Sequence, residues 1–151
     1  MSEAPRSLSL DLPCVHEAVR EGRRGAEELA RDAGLPEDEV ERLMLVVSEL
    51  LANAVDHGGG GGAFTIADLE GDVRMQVRLE LDTKGWTLEV EDQGGGRVDT
   101  TTKLLEGADA DDLDDERGRG LFLVRELVSR VVVTQGERGL VLAARRELGR
   151  G

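Results

Sequence analysis

The chain has 151 residues and a net charge of −13 at pH 7, with 39% of its residues hydrophobic, and this size and composition indicate one domain over residues 1–151. Its acidity excludes nucleic acid and an anionic membrane surface as partners, because both attract basic protein faces. The single cysteine excludes an intrachain disulfide, and no apolar run approaches the roughly 18 residues of a transmembrane helix, so we expect a cytoplasmic protein.

The first third of the chain is predicted to form one strand and two helices. Alternating leucines predict a strand over residues 7–12. Apolar and small residues at helical spacing predict a helix over residues 14–33, which Gly22 weakens by roughly 1 kcal/mol relative to Ala. A second helix is predicted from Pro36, which three acidic residues follow, to His57, where a run of glycines ends it.

The middle of the chain predicts a strand meander. Residues 63–69 are a short candidate strand, and residues 73–81 and 86–92 alternate between apolar and polar side chains. A Thr-Lys-Gly turn joins the last two segments, so we expect them to form an antiparallel hairpin with one buried face.

The last third combines an acidic loop with one helix and two strands. Residues 97–117 show little periodicity and are rich in Asp and Glu, which predicts a mobile loop. Residues 120–130 have helical spacing, and residues 131–134 and 140–144 are predicted strands joined by a glycine-containing turn. The expected fold is α/β (α+β), a two-layer sandwich with a mixed, mostly antiparallel sheet and helices on one face.

Three polar residues, Glu49, Asn53 and His57, recur every four positions along the second predicted helix. At about 100° per residue they form a polar stripe beside the apolar face, at the boundary between core and solvent. An Asn side-chain oxygen suits Mg²⁺, and a carboxylate one turn away can accept a proton from an attacking hydroxyl. A solvated helix edge has the same spacing, so these residues alone do not decide the function.

Two glycine-containing motifs follow. Asp92, Gly94 and Gly96 come after a predicted strand, where glycine lets the backbone approach a ligand and Asp92 can accept a hydrogen bond from an exocyclic amine. Gly118 to Leu121 stand at the start of a predicted helix, whose free N–H groups and positive dipole end suit phosphate. Each motif alone also fits an ordinary turn or loop-to-helix junction. The sequence contains no P-loop and no dinucleotide-binding fingerprint.

Together these motifs resemble those of the GHKL (Bergerat-fold) ATPase superfamily, and the resemblance covers residues 7–147. Glu49 to His57 match its N-box, Asp92 to Gly96 its first glycine box, and Gly118 to Leu121 its second. Residues 97–117 stand at the position of the ATP lid. The short length and the runs Ser-Glu-Leu and Glu-Arg-Gly-Arg-Gly-Leu are most similar to those of bacterial anti-sigma-factor serine/threonine kinases.

The resemblance implies a role for each motif residue. Asn53 is expected to coordinate Mg²⁺, Glu49 to act as the catalytic base and Asp92 to bind the adenine amine. His57 is expected to contact phosphate or the lid, although a cationic cap at a helix C-terminus fits it equally well. The other expected ATP contacts are five box residues and three basic side chains: Gly94, Gly96, Gly118, Gly120, Leu121, Lys103, Arg117 and Arg119.

By the same resemblance, the protein is expected to bind Mg-ATP and to phosphorylate a serine or threonine of an anti-sigma-factor antagonist. A sigma factor is the other expected partner, and a homodimer is expected by analogy. The alternative is a nucleotide-dependent binding switch that sequesters a partner without phosphoryl transfer. Glu49 favours the kinase, because a switch needs no catalytic base. The acidity of residues 97–117 opposes closure over a triphosphate and favours the switch.

Overall fold

The computed structural model describes residues 6–55, 74–92, 116–137 and 139–148, with the backbone alone over residues 116–119. The predicted strand over residues 63–69 and the predicted lid up to residue 115 lie outside these ranges. Within the described ranges, no helix is both long enough and apolar enough to cross a membrane.

Strands and helices are interleaved along the described parts of the chain. In chain order they are β1 (Arg6–Pro13), α1 (His16–Asp32), α2 (Glu37–Asn53), β2 (Arg74–Asp82), β3 (Gly85–Glu91), α3 (Glu116–Leu127), β4 (Arg130–Gln135) and β5 (Leu140–Glu147). One boundary differs from the prediction in a way that affects the site. Helix α3 begins at Glu116 instead of Gly120, so the second glycine box lies inside its first turns.

The strands form one sheet in the order β1-β2-β3-β5-β4, and every neighbouring pair is antiparallel. The mostly antiparallel pairing is thus confirmed, and among the described strands no pair is parallel. One row of aligned residues crosses all five strands and is apolar throughout: Leu10, Val77, Val90, Leu142 and Val133. Because side chains alternate along a strand, this row marks the face that packs against the helices.

The neighbouring row lies on the opposite face of the sheet. Its members are mostly polar and are exposed or half-buried: Asp11, Gln76, Glu91, Val141 and Thr134. One face is therefore apolar and covered, and the other is polar and open to solvent. This arrangement confirms the expected two-layer α+β sandwich.

Helix α2 is the centre of the helical layer, because it packs against both α1 and α3. Its fully buried side chains are Leu43, Val46, Val47, Leu50 and Leu51. Complete burial of one such side chain stabilises the fold by roughly 1.5–3 kcal/mol relative to its exposure. The apolar stripe that predicted this helix is thus the main structural support for the polar residues beside it.

Gly22 lets α1 pack closely against α2. A β-carbon on Gly22 would lie 2.5 Å from Leu51 Cδ1, and that methyl group is in the fully buried core. The residue that weakens α1 as an isolated helix is therefore required by its packing. Sequence periodicity did not predict this contact, since it joins positions 29 residues apart in the chain.

Candidate functional site

Helix α2 presents Glu49 and Asn53 at its C-terminal end, one turn apart. Asn53 is buried, with 8% of its surface exposed, and Glu49 is half-buried. The Cys14 thiol donates a hydrogen bond to the Ala54 carbonyl oxygen at 3.2 Å, so the segment before α1 is bonded to the end of α2. The core therefore fixes the backbone directly beside Asn53.

Asp92 follows β3 and is held by the start of β5. It is 3% exposed, and its backbone N–H donates to the Leu140 carbonyl oxygen at 3.1 Å. A β-carbon on Gly139 would collide with the Asp92 backbone carbonyl and would lie 3.2 Å from Asp92 Oδ1. The absence of a side chain at Gly139, in the predicted turn between residues 134 and 140, thus leaves room for Asp92.

The second glycine box packs against the polar edge of α2. A β-carbon on Gly120 would collide with the Glu49 carboxylate, so this glycine allows the start of α3 to lie directly on Glu49. A carboxylate near a helix N-terminus is favoured by the free N–H groups there. Leu121 is 1% exposed and belongs to the core, so any contact that it makes with a ligand would be through its backbone.

The ends of α2 and β3 lie at the same end of the molecule. Arg146 is in register with Trp86 near the start of β3, and its guanidinium is bonded to Glu39 near the start of α2. The two elements therefore start together, and α2 then extends for about 24 Å and β3 for about 20 Å. Their far ends also lie together, because Ala54 after α2 accepts a hydrogen bond from Cys14, which follows the end of β1 beside the start of β2 and the end of β3. This geometry brings Asn53 and Asp92 to one end.

The start of α3 joins them there. Arg42 Nη1 donates to the Leu127 carbonyl oxygen at 3.1 Å, and Gly120 lies on Glu49. Because these two contacts pair the start of α2 with the end of α3, the helices are antiparallel. The N-terminus of α3 therefore lies at the Asn53 end of α2, and the described residues of the three motifs lie at one end of the molecule.

A partly buried ion pair with two hydrogen bonds lies at the opposite end of α2. Glu39 is 7% exposed and accepts hydrogen bonds from Arg146 Nε at 3.0 Å and Nη2 at 2.8 Å. The hydrogen bond from Arg146 is the main reason that the pKa of Glu39 is lowered below its ordinary value. Arg42 Nε adds a weaker contact, 3.5 Å from Glu39 Oε2. This pair joins α2 to β5 far from the convergent motifs.

Several predicted site residues fall beyond what the structure describes. His57, Gly94, Gly96 and Lys103 lie outside the described ranges, and their predicted roles remain predictions. Arg117, Gly118 and Arg119 belong to the first turns of α3, where the backbone is described. The predicted residues that the structure places at one end are therefore Glu49, Asn53, Asp92, Gly120 and Leu121.

Comparison with known protein families agrees with this arrangement. The sequence profile of the histidine kinase-like ATPase domain matches residues 12–146. The chain belongs to the histidine kinase-like ATPase family. The serine-protein kinase RsbW of Listeria monocytogenes serovar 1/2a is 31% identical over 127 residues, which are 82% of this chain and 76% of that protein. RsbW of L. monocytogenes serotype 4a is 30% identical over the same shares of the two chains.

Solved structures of low sequence identity share the fold of this histidine kinase-like ATPase. A structure of the RsbU and RsbW domains of Rv1364c from Mycobacterium tuberculosis has a TM-score of 0.64 and 20% identity. It aligns with 97% of this chain, which spans 33% of the length of the M. tuberculosis chain. A structure of the SiaB–SiaC complex from Pseudomonas aeruginosa has a TM-score of 0.64, 14% identity, and coverage of 93% and 88% of the two chains.

These matches confirm the resemblance found in the sequence. The N-box and the two glycine boxes belong to a chain whose family carries the histidine kinase-like ATPase fold, and its RsbW relatives are named serine-protein kinases. The convergence of Asn53, Asp92 and the start of α3 is the corresponding geometry in this structure. The individual roles of these residues form part of the proposal below.

Proposed function

We propose that the protein is a Mg-ATP-dependent serine/threonine kinase that phosphorylates an anti-sigma-factor antagonist in the cytoplasm. The observation that carries this proposal is the contact between Glu49 on α2 and Gly120 at the start of α3. It places a carboxylate beside the first turns of a helix, and a carboxylate and helix N–H groups can serve phosphoryl transfer as the base and as ligands of phosphate oxygens. The names of the RsbW relatives support the same reaction.

Each element would supply one part of the reaction. The Asp92 carboxylate would accept a hydrogen bond from the adenine amine, and the backbone N–H groups at the start of α3 would bind phosphate oxygens. The Glu49 carboxylate would take the proton of the serine or threonine hydroxyl while that oxygen forms a bond to the γ-phosphorus. The bond from the γ-phosphorus to the leaving oxygen breaks, and ADP departs with the electron pair.

The residues at this end fit magnesium that is shared with a nucleotide. No group of three or more His, Cys, Asp or Glu side chains among the described residues could hold a metal ion. Mg²⁺ at phosphate sites typically needs only one or two protein oxygens, because phosphates and waters complete its coordination. The side-chain oxygen of Asn53 would be such a ligand, and the bound ion would neutralise phosphate charge during transfer.

The partners are part of the same proposal. An antagonist protein would present the serine or threonine, and a sigma factor would be the protein released or sequestered in response. A homodimer remains a proposal by analogy with the family. The acidic composition of residues 97–117 supports the second candidate, a switch that binds nucleotide and partner without transfer.

Ligand-dependent stabilisation tests the nucleotide site. ATP with Mg²⁺ at about 100 times its Kd should raise the unfolding free energy by roughly 2.7 kcal/mol, seen as a higher melting temperature. Asn53→Ala should retain stabilisation by ATP but lose its dependence on Mg²⁺. If millimolar Mg-ATP does not shift the melting temperature of the wild-type protein, the proposed function is wrong.

Transfer of labelled phosphate separates the kinase from the switch. The protein is incubated with γ-labelled ATP and its co-purifying partners, and Glu49→Gln is compared with Glu80→Gln, which changes an exposed carboxylate on the polar face of the sheet. The kinase predicts label on a partner serine or threonine with wild type and Glu80→Gln, and its loss with Glu49→Gln. A stable complex without label would support the switch.

A further inference from the structure

Arg42 forms a long-range contact that holds the C-terminal end of α3. Its Nη1 donates to the backbone carbonyl oxygen of Leu127, the last residue of α3, across 85 positions of sequence. The last carbonyl groups of a helix have no partner within the helix, and a cation near them also interacts favourably with the helix dipole. The Arg42 side chain is 29% exposed, so most of it is buried between the two helices.

Glu39 and Arg146 keep the Arg42 guanidinium in place. Glu39 lies one turn before Arg42 on α2, and its Oε2 is 3.5 Å from Arg42 Nε. The same carboxylate is clamped by two hydrogen bonds from Arg146 on β5. The contact to Leu127 is therefore anchored to both α2 and the sheet, and Glu39 separates two guanidinium groups that would otherwise repel each other.

The second contact between the helices lies at the proposed nucleotide site. Gly120 meets Glu49, which is seven residues after Arg42 on α2, and Leu127 is seven residues after Gly120 on α3. Both intervals correspond to two turns, or about 10.5 Å along a helix. The antiparallel helices are thus fixed to each other at two points with equal spacing, and α3 cannot slide along α2 without breaking both contacts.

We propose that Arg42 is a positioning residue for phosphate binding: by holding Leu127, it sets the axial position of α3 and therefore the position of the second glycine box relative to Glu49. This proposal rests on the proposed nucleotide site. Arg42 acts through the helix, because Leu127 and the second glycine box are at opposite ends of α3. Loss of the contact would let the start of α3 move by a fraction of a turn, which is enough to misplace N–H groups that must meet phosphate oxygens.

The variant Arg42→Met tests this role, because it removes the guanidinium and keeps an unbranched side chain. A variant of Arg145 is its matched control. Arg145 on the polar face of the sheet is also largely buried and also has several partners: Asp82, Thr87 and Glu147. Its side chain is 14% exposed, and none of these partners belongs to α2 or α3. Arg145→Met therefore removes a comparable set of polar contacts without touching the helix pair.

The experiment compares the melting temperature and the Kd for Mg-ATP of the wild type, Arg42→Met, Arg42→Lys and Arg145→Met, below the melting temperature of each. Both methionine variants should be less stable, but only Arg42→Met should bind ATP about tenfold more weakly. Arg42→Lys, which restores one donor to Leu127, should recover most of the affinity. An unchanged Kd in folded Arg42→Met would overturn the positioning role while leaving the nucleotide site intact.

Two further results keep the outcomes distinct. If the wild type itself does not bind ATP, the proposed function fails, and the positioning role fails with it. If Arg42→Met does not fold, Arg42→Gln takes its place: its shorter, neutral amide lacks the charge and reach of the guanidinium, so it should bind ATP more weakly than Arg42→Lys, and a Kd equal to that of the wild type would contradict the proposal. Equal weakening of ATP binding by Arg145→Met would show a general effect of stability and would contradict the proposal.

Discussion

Gly120 on α3 lies so close to Glu49 on α2 that a β-carbon at position 120 would collide with the Glu49 carboxylate. The glycine is therefore needed for the approach of two helices that belong to different parts of the chain. In the family, the second glycine box is identified by sequence; in this structure, one of its glycines determines where the proposed base can lie. This contact makes the box a packing feature of the helix pair as well as a candidate phosphate site.

Gly120→Ala is expected to slow transfer strongly while keeping the fold. The added methyl group would displace the carboxylate, which is at the end of a flexible side chain, and alanine favours the helix by about 1 kcal/mol over glycine. The melting temperature should therefore change little. Phosphoryl transfer should fall by about 100-fold, as when a general base is misplaced. Circular dichroism and transfer of labelled phosphate check the two effects, and full activity in this variant would contradict the position assigned to Glu49.

Gly139→Ala is expected to weaken ATP binding although Gly139 lies outside the sequence motifs. The added β-carbon would meet the backbone carbonyl of Asp92 and crowd its carboxylate, so the adenine contact should shift. Gly136→Ala, in the same turn, is the control, because its β-carbon would meet Glu91 and Val141 on the other face. Isothermal titration should show weaker ATP binding for Gly139→Ala than for Gly136→Ala; equal affinities would argue against control of Asp92 by Gly139.

Gly22→Ala should destabilise the protein, in contrast to the usual effect of replacing a helical glycine. The gain in helix propensity is about 1 kcal/mol, but overpacking a core costs typically 1–3 kcal/mol. The Leu51 methyl group would have to shift, and because Leu51 is fully buried its neighbours would have to shift with it. Gly25→Ala is the matched control on the same helix. Its β-carbon would lie 3.1 Å from Leu8 Cδ2, on a half-buried side chain that can adjust. Urea unfolding should therefore show a lower midpoint only for Gly22→Ala.

The Glu39–Arg146 pair should make stability depend on pH below neutrality. The hydrogen bond from Arg146 lowers the pKa of Glu39 below its ordinary value of 4.5 in the folded chain. The unfolded chain therefore binds a proton first, so the contribution of Glu39 is complete above pH 4.5 and is lost as the pH falls through its lower folded value.

Glu39→Gln isolates this contribution. At pH 7 the variant should be less stable by about 2 kcal/mol, because hydrogen bonds to a charged acceptor are lost in a buried place. As the pH falls from 7 to about 3, the difference from the wild type should shrink. Unfolding in urea at several pH values measures it, and a constant difference across this range would show that Glu39 does not titrate as its surroundings require.

The sequence predicted the fold well because its signals are local. Alternation predicted the strands, the apolar stripe on α2 predicted the central helix, and the polar residues beside that stripe indicated the candidate site. The start of α3 was placed four residues late, at Gly120, because two glycines suggested a loop and the helical contacts that stabilise the first turns are not visible in the sequence.

The supporting contacts could not be predicted because they join distant positions. Cys14 donates to the backbone carbonyl of Ala54, and Arg42 donates to that of Leu127. Because every residue has a backbone carbonyl, the residue types at positions 54 and 127 do not indicate these hydrogen bonds. Gly139 in the β4–β5 turn is a glycine because of the approach of Asp92, and nothing in its neighbours indicates this. The residues that would do chemistry were predictable from motifs, whereas the residues that position them required the folded structure.

The fluorescence of Trp86 depends on its position where α2 and β3 start together. This residue is the only tryptophan in the chain, it is fully buried, and it lies at the Glu39 end of the fold. Asp92 lies six positions further along the chain, a distance of about 20 Å along an extended strand. The tryptophan fluorescence should therefore report the loss of the core on unfolding and should change little when nucleotide binds, so one sample can yield both stability and affinity if the nucleotide carries a separate dye.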